Sequence, residues 1–163
     1  MHKFDKIDLE IINLLMEDGR MPCAVIAKRI GGISDRAVRY RIGQLHENRL
    51  IKVRAIPNPA SLGYNVIADV FIEVEPGNVD EVAHKMLKFE CVSYVACSTG
   101  ERDISIQIVA HNNAEAYNFV TNIIGKVPGV RKTTTSIVPV ILKDVYDWHI
   151  PRSSCLDEAG RKE

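Results

Sequence analysis

Cysteine is scarce in this 163-residue chain: Cys23, Cys91, Cys97 and Cys155 stand alone, with no Cys-x-x-Cys spacing. That excludes a disulfide scaffold and a cysteine-built zinc module, and it fits a reducing compartment. The five histidines, His2, His46, His84, His111 and His149, are scattered without metal-ligand spacing and read as surface residues. No apolar run approaches the ~20 residues of a bilayer span, and the opening MHKFDKIDLE lacks the apolar core of a secretion signal. Phosphate-cradling glycine loops, a nucleophile elbow and a zinc-protease HExxH are all missing. Net charge is missing too, with 21 Lys/Arg against 21 Asp/Glu. These absences predict a soluble cytoplasmic protein with no membrane partner, and they leave no metal, cofactor or catalytic motif that would mark an enzyme. What remains is an ordinary globular mixture, 46% hydrophobic and 26% charged.

The zero net charge conceals a split. Residues 1–62 hold 11 bases against 7 acids, a net of +4, and residues 63–163 hold 10 against 14, a net of −4. Within residues 20–54, nine bases (Arg20, Lys28, Arg29, Arg36, Arg39, Arg41, Arg49, Lys52, Arg54) face only Asp35 and Glu47. Such a segment either attracts a polyanion, through release of condensed counterions, or forms a solvated helical face.

Hydrophobic spacing divides the basic third into three helices. Residues 5–18 place Ile7, Ile11, Leu14 and Leu15 on one face, with Asp5 as N-cap, Asp8 near the positive helix end and Gly19 as the stop. Pro22 opens a short second helix with Val25, Ile26 and Ile30, closed by Gly31-Gly32. Ser34 caps a third helix reaching to about Asn48. Its Val38, Ile42 and Leu45 form one apolar stripe, while Arg36, Arg39, Tyr40 and Gly43 lie opposite. That is a helix-turn-helix whose last helix suits a major groove, where arginine bonds guanine bidentately. Arg36, Arg39 and Tyr40 are the candidate base readers, and Ser34, Arg41, Lys52 and Arg54 the candidate phosphate contacts. Arg41 sits beside the apolar stripe, which leaves an internal ion pair open as its alternative. Residues 50–56 alternate like a short strand before Pro57 and Pro59, predicting a wing.

From Asn65 the period changes to two. Val66, Ala68, Val70, Ile72 and Val74 form one apolar face, and Pro76-Gly77 turns the chain into a helix over 78–89. Strands follow near 91–99 and 102–110, then a helix from Asn112-Asn113, closed by Pro128-Gly129, and a last strand from Val130 to about Lys143. This order is the ferredoxin-like βαββαβ sandwich, with helices on one sheet face only. The other face carries Ile67 and Phe71 and calls for a covering partner, most simply a second copy. The expected fold is therefore α+β: a winged helix-turn-helix over 1–56, a linker over 57–64, a ferredoxin-like βαββαβ domain over 65–151 and a polar tail over 152–163. Tyr146, Trp148 and Ile150 alternate, which extends the last strand or pairs it with a neighbour.

The two halves in this order resemble the Lrp/AsnC (leucine-responsive/asparagine-regulator, feast-famine) family of transcription regulators. The resemblance rests on Asp5 and Asp8, Gly19-Arg20, Ser34, Val38, Arg41, Ile42, Leu45 and Ile51. It continues through the linker Asn58–Gly63, the Thr99–Asp103 turn, Pro128-Gly129-Val130, Thr133 and Thr135. Arg49 departs from it, because that family usually has glycine there, where a left-handed cap strains any other residue. Either Asn48 takes the cap, or the turn differs; Arg49 equally supplies another phosphate contact. The resemblance implies double-stranded DNA as partner, homodimers that build tetramers or octamers, and an amino-acid effector. It places that effector at Thr99, Gly100, Arg102, Asp103, Thr133 and Thr135. Chemically, Gly100 permits a turn whose N–H groups hold a carboxylate, with Asp103 accepting an ammonium; the alternative is a plain hairpin turn with Asp103 capping its own backbone. Effector binding would then alter dimer association and the spacing of reading heads. Two rivals share the architecture: a sirohaem-type decarboxylase, which the acidic second half disfavours, and an effector-free architectural DNA-binding protein.

Overall fold

The computed structural model describes residues 4–151; His2, Cys155 and the polar end 152–163 lie outside the described residues. Two compact units emerge, residues 4–56 with 142–151, and Pro57–Ile141. The helical unit contains α1 (Lys6–Glu17), α2 (Cys23–Ile30) and α3 (Asp35–Glu47). A reciprocal capping box starts α1. The Asp5 carboxylate accepts the Asp8 N–H at 2.9 Å, and the Asp8 carboxylate accepts the Asp5 N–H at 3.2 Å. Pro22 is the cap of α2 and Gly31 (φ +74°) ends it, while the Ser34 hydroxyl oxygen accepts the Ala37 N–H to start α3. Ile11, Ile12, Leu14, Ile26, Ala27, Val38 and Leu45 form the core between them.

The end of α3 resolves the question at Arg49. Asn48 keeps right-handed torsions (φ −82°, ψ 6°), and Arg49 itself takes φ +58°. The Arg49 N–H donates to His46 O at 3.0 Å and the Leu50 N–H to Leu45 O at 2.9 Å. That pair of bonds is a Schellman clip, which requires a left-handed residue between its arms. Arg49 is the one non-glycine residue with positive φ among the described residues.

Beyond the clip, the expected wing strand at 50–56 is not formed. Alternation prepares a segment for pairing, but a strand needs a neighbour to bond, and this stretch has none among the described residues. Val53 instead lies against the α1–α2 turn, where a Cβ added to Gly19 would come within 3.3 Å of it.

The second unit is a four-stranded antiparallel sheet, β1 (Val66–Val74), β2 (Val92–Cys97), β3 (Ile104–Ala110) and β4 (Val130–Ile137), in the order β2-β3-β1-β4. Helices α4 (Val79–Met86) and α5 (Asn113–Asn118) complete the βαββαβ sequence. One π-turn (Phe119–Ile123) and a 3-10 turn continue α5, keeping Phe119, Val120 and Ile124 in the core while Tyr117 and Ile123 face out. Ala68, Val70, Ile72, Val74, Ile104, Ile106 and Ile108 pack under Val82, Met86, Phe119 and Ile124.

Two expectations about the chain's end are corrected. The last strand stops at Ile137 rather than Lys143: the Val138 N–H still bonds Ile67 O at 2.8 Å, but Pro139 has no N–H to continue the ladder. Residues 142–151 belong with the helical unit, not with the sheet domain expected over 65–151. Asp144 caps a 3-10 turn at Val145–Asp147, and Ile150 packs against the α1–α3 core, so no strand extends there. The linker residues 57–64 fall in the sheet unit, where the Tyr64 ring lies 4.3 Å from that of His111.

Candidate nucleic-acid interface and effector turn

On α3 the two faces are chemically opposite. Val38 and Leu45 are fully buried, anchoring the helix, whereas Arg36, Arg39 and Tyr40 are exposed. Neither Arg36 nor Arg39 has an ion pair among the described residues, so both guanidinium groups retain their full donor capacity. Ser34, Lys52 and Arg54 are exposed as well, with the Ser34 oxygen engaged as the helix cap.

Arg41 is different, and its candidacy as a phosphate contact is withdrawn. Its Nη1 donates to Asp5 Oδ2 at 2.9 Å and to Asp8 Oδ1 at 2.8 Å, tying α3 to the start of α1. Asp8 is completely buried and requires a cation beside it. Burial pushes the Asp5 carboxyl up, but the Asp8 N–H and Arg41 outweigh it and hold the group below the ordinary value of 3.8. Burial likewise works against the Arg41 charge and is outweighed by Asp8 and Asp5, so its pKa is raised. The internal ion pair is therefore the alternative that the structure adopts.

The Thr99–Asp103 turn joins β2 to β3. Gly100 has φ +143°, a conformation open to glycine, and Thr99, Gly100 and Arg102 are exposed. Asp103 works for the sheet. Its Oδ2 accepts the Val74 N–H at 2.7 Å, its own N–H donates to Ile72 O at 3.1 Å, and its carbonyl accepts the Ser98 N–H at 2.8 Å. The β1–β4 register shifts between Glu73 and Val74, and the carboxylate satisfies the Val74 donor at that irregularity. Asp103 thus caps the neighbouring strand, rather than only its own turn. The Gly100, Glu101 and Arg102 N–H groups have no partner among the described residues.

Pairing register divides the expected effector set. Thr133 lies opposite Ile72 and Thr135 opposite Val70, so both share the helix-covered face. Arg102 stacks 4.0 Å from the centroid of Phe71, which lies opposite Thr134 on the open face. Thr99, Gly100, Arg102 and Asp103 are one turn, but Thr133 and Thr135 do not share a sheet face with the Arg102 guanidinium. Phe71 and Thr134 do, and sequence reading missed both as neighbours of that turn. Alternation from Ala68 onward signalled the face of Phe71; nothing local signalled the cross-strand register. Beside them, Arg131 and Lys132 clasp Glu73 at 3.0 and 3.1 Å and hold its carboxyl below the usual range, Arg131 foremost.

Comparison with known proteins bears on both units. An AsnC-type helix-turn-helix domain matches residues 4–46, and an Lrp/AsnC ligand binding domain matches residues 67–146. An HTH-type transcriptional regulator of Pyrococcus furiosus is 37% identical over 144 residues, spanning 88% of this chain and 94% of its own. The regulator LrpA of Pyrococcus horikoshii is 35% identical over 140 residues, spanning 85% and 99%. This chain belongs to the Lrp/AsnC family. Among solved structures, Escherichia coli AsnC superposes with a TM-score of 0.80 at 22% identity, over 89% of this chain and 99% of that one. A Neisseria meningitidis transcriptional regulator in complex with L-Met superposes at 0.85 and 22% identity, over 94% and 99%; at that identity both show a shared fold. The Lrp/AsnC chain is thus a helix-turn-helix transcription regulator with a ligand-binding domain, and the decarboxylase rival falls away with the family assignment. Among its described residues no helix is long and apolar enough to cross a membrane, and no three His, Cys, Asp or Glu side chains cluster as metal ligands.

Proposed function

We propose that this Lrp/AsnC regulator reads double-stranded DNA with Arg36, Arg39 and Tyr40, and grips flanking phosphates through Ser34, Lys52 and Arg54. The observation that carries this assignment is the division of labour on α3: one face locked in the core, the other holding two arginines without an ion pair among the described residues. Arginine in that state bonds guanine bidentately without first breaking an internal contact. Gel-shift titration of selected duplexes over a range of salt tests it. The expected result is strong salt dependence, with sequence preference lost in Arg36→Ala and Arg39→Ala. Salt-independent binding, or unchanged preference in both variants, would refute the assignment.

The working unit in this reading is a homodimer joined through the open sheet face. Ile67, Phe71, Tyr94 and Val109 give that face an apolar character, and Tyr94 is 51% exposed in the single chain. Two reading heads then address a pseudopalindrome. Sedimentation of Tyr94→Asp should show a shift from dimer towards monomer, and dimers assembled into tetramers or octamers should appear in the wild type.

The effector in this reading is an amino acid held at the Thr99–Asp103 turn. Unpartnered N–H groups of Gly100, Glu101 and Arg102 suit a carboxylate. Because Asp103 already binds the Val74 N–H through Oδ2, only its other oxygen is available for an ammonium. Thr99, Arg102 and Asp103 are the better-supported members, and Thr133 and Thr135 would contribute from the helix-covered side of β4. Calorimetry against an amino-acid panel that includes L-methionine tests the site, with Gly100→Val as the variant expected to abolish uptake.

A further inference from the structure

The strained residue at the end of α3 is also a cation without an ion pair among the described residues. Arg49 occupies φ +58°, a region disfavoured for any side chain, because the clip formed by the His46 and Leu45 carbonyls demands a left-handed residue there. Asparagine tolerates that conformation better, yet Asn48 stands one position earlier in ordinary torsions, its Nδ2 donating to Gln44 O at 2.8 Å. Four arginines of the fold have intramolecular partners: Arg29 pairs with Glu17, Arg41 with Asp5 and Asp8, Arg131 with Glu73, and Arg102 lies over Phe71. Arg49 is exposed and has no ion pair or ring contact among the described residues. The clip holds the strained backbone, and among the described residues no side-chain contact of Arg49 adds to it.

We propose that Arg49 is a DNA-phosphate contact, placed where the reading helix leaves the major groove. This rests on α3 being the reading helix. From Arg39 the helix runs eight more residues to its end at Glu47, about 12 Å of rise, which already spans a groove about 12 Å wide, and Arg49 lies beyond that end. With Arg36 and Arg39 over base edges, the far end of the helix reaches the sugar-phosphate backbone rather than another base pair. Lys52 and Arg54 follow directly, and no acidic residue occurs over 48–56 to repel a phosphate. Strain borne by the free protein is then offset by a charge-assisted contact made only in the complex.

Four full-length proteins separate strain from charge: wild type, Arg49→Gly, Arg49→Lys and Arg49→Gln. Each is melted alone and titrated against one duplex recovered by selection with the wild type, over a series of potassium chloride concentrations. Arg49→Gly should raise the melting midpoint by about 3 °C as the strain is relieved. The same variant should lower the slope of log K against log salt by about one. Arg49→Gln should show the reduced slope without the gain in melting temperature, and Arg49→Lys should keep the wild-type slope. Wild-type slopes in both Arg49→Gly and Arg49→Gln would overturn the phosphate contact while leaving α3 as the reading helix. A slope lost only in Arg49→Gly would also overturn it, assigning the effect to backbone geometry. A wild type that binds no duplex would remove the reading helix itself, and the contact with it.

Discussion

Arg39 and Arg41 stand two residues apart on one helix and have opposite fates. Arg39 is exposed and without an ion pair; Arg41 is drawn inward between Asp5 and Asp8. The same contrast separates the two units. In the sheet unit Glu73, Glu81 and Glu115 each have a basic partner in the chain, and Asp103 caps a backbone donor. Along α3 and the segment after it, Arg36, Arg39, Arg49, Lys52 and Arg54 have none among the described residues. Charges that finish their business inside the chain build the fold, whereas charges left over are those able to bind a polyanion.

Mutations break this contrast in order of size. Arg36→Ala combined with Arg39→Ala should weaken specific DNA binding by about 4 kcal/mol, as two bidentate base contacts disappear, with thermal stability unchanged. Competition gel shifts and a melting curve on the same preparation check both halves. Arg41→Met should do the reverse. It removes the guanidinium bonded to the buried Asp8 carboxylate and costs about 3 kcal/mol of stability, the low end of the range because Arg41 is partly exposed, and it is read by urea unfolding.

Smaller effects sharpen the boundary between the units. Ile150→Ala should destabilise the helical unit by about 1–2 kcal/mol, since a half-buried aliphatic group leaves its core. Leu142→Ala, at a side chain 95% exposed, should be silent in the same denaturation experiment. The smallest effect is acid sensitivity. Because Asp5 is held below its ordinary 3.8, its contribution is fully present above that pH and is lost as pH falls through the lower folded value. Melting midpoints below pH 4 should therefore drop less in Asp5→Asn than in wild type.

Helix and strand identity was legible in the sequence because it depends on spacing. Ile11 and Leu14, Val38 and Leu45, and the run Ala68–Val70–Ile72 are buried as their periods require. The reading face of α3 was equally legible, being the complement of that stripe. Arg41 was ambiguous because its position beside the stripe fits both roles, and only the fully buried Asp8 of another helix decides between them. The wing failed because alternation over 50–56 specifies a shape without a partner, and the sheet face of Thr133 and Thr135 was not legible because register is a relation between strands.

The linear order of residues by itself determined the helix-turn-helix, the βαββαβ succession and the basic character of the first third, since each follows from local period, capping and composition. Tertiary structure alone decided which charges are consumed, where Arg102 lies, that Ile150 returns to the helical core, and that Arg49 bears a left-handed backbone. Those outcomes depend on which groups from distant parts of the chain meet, and the energy of such a meeting is written in no single segment.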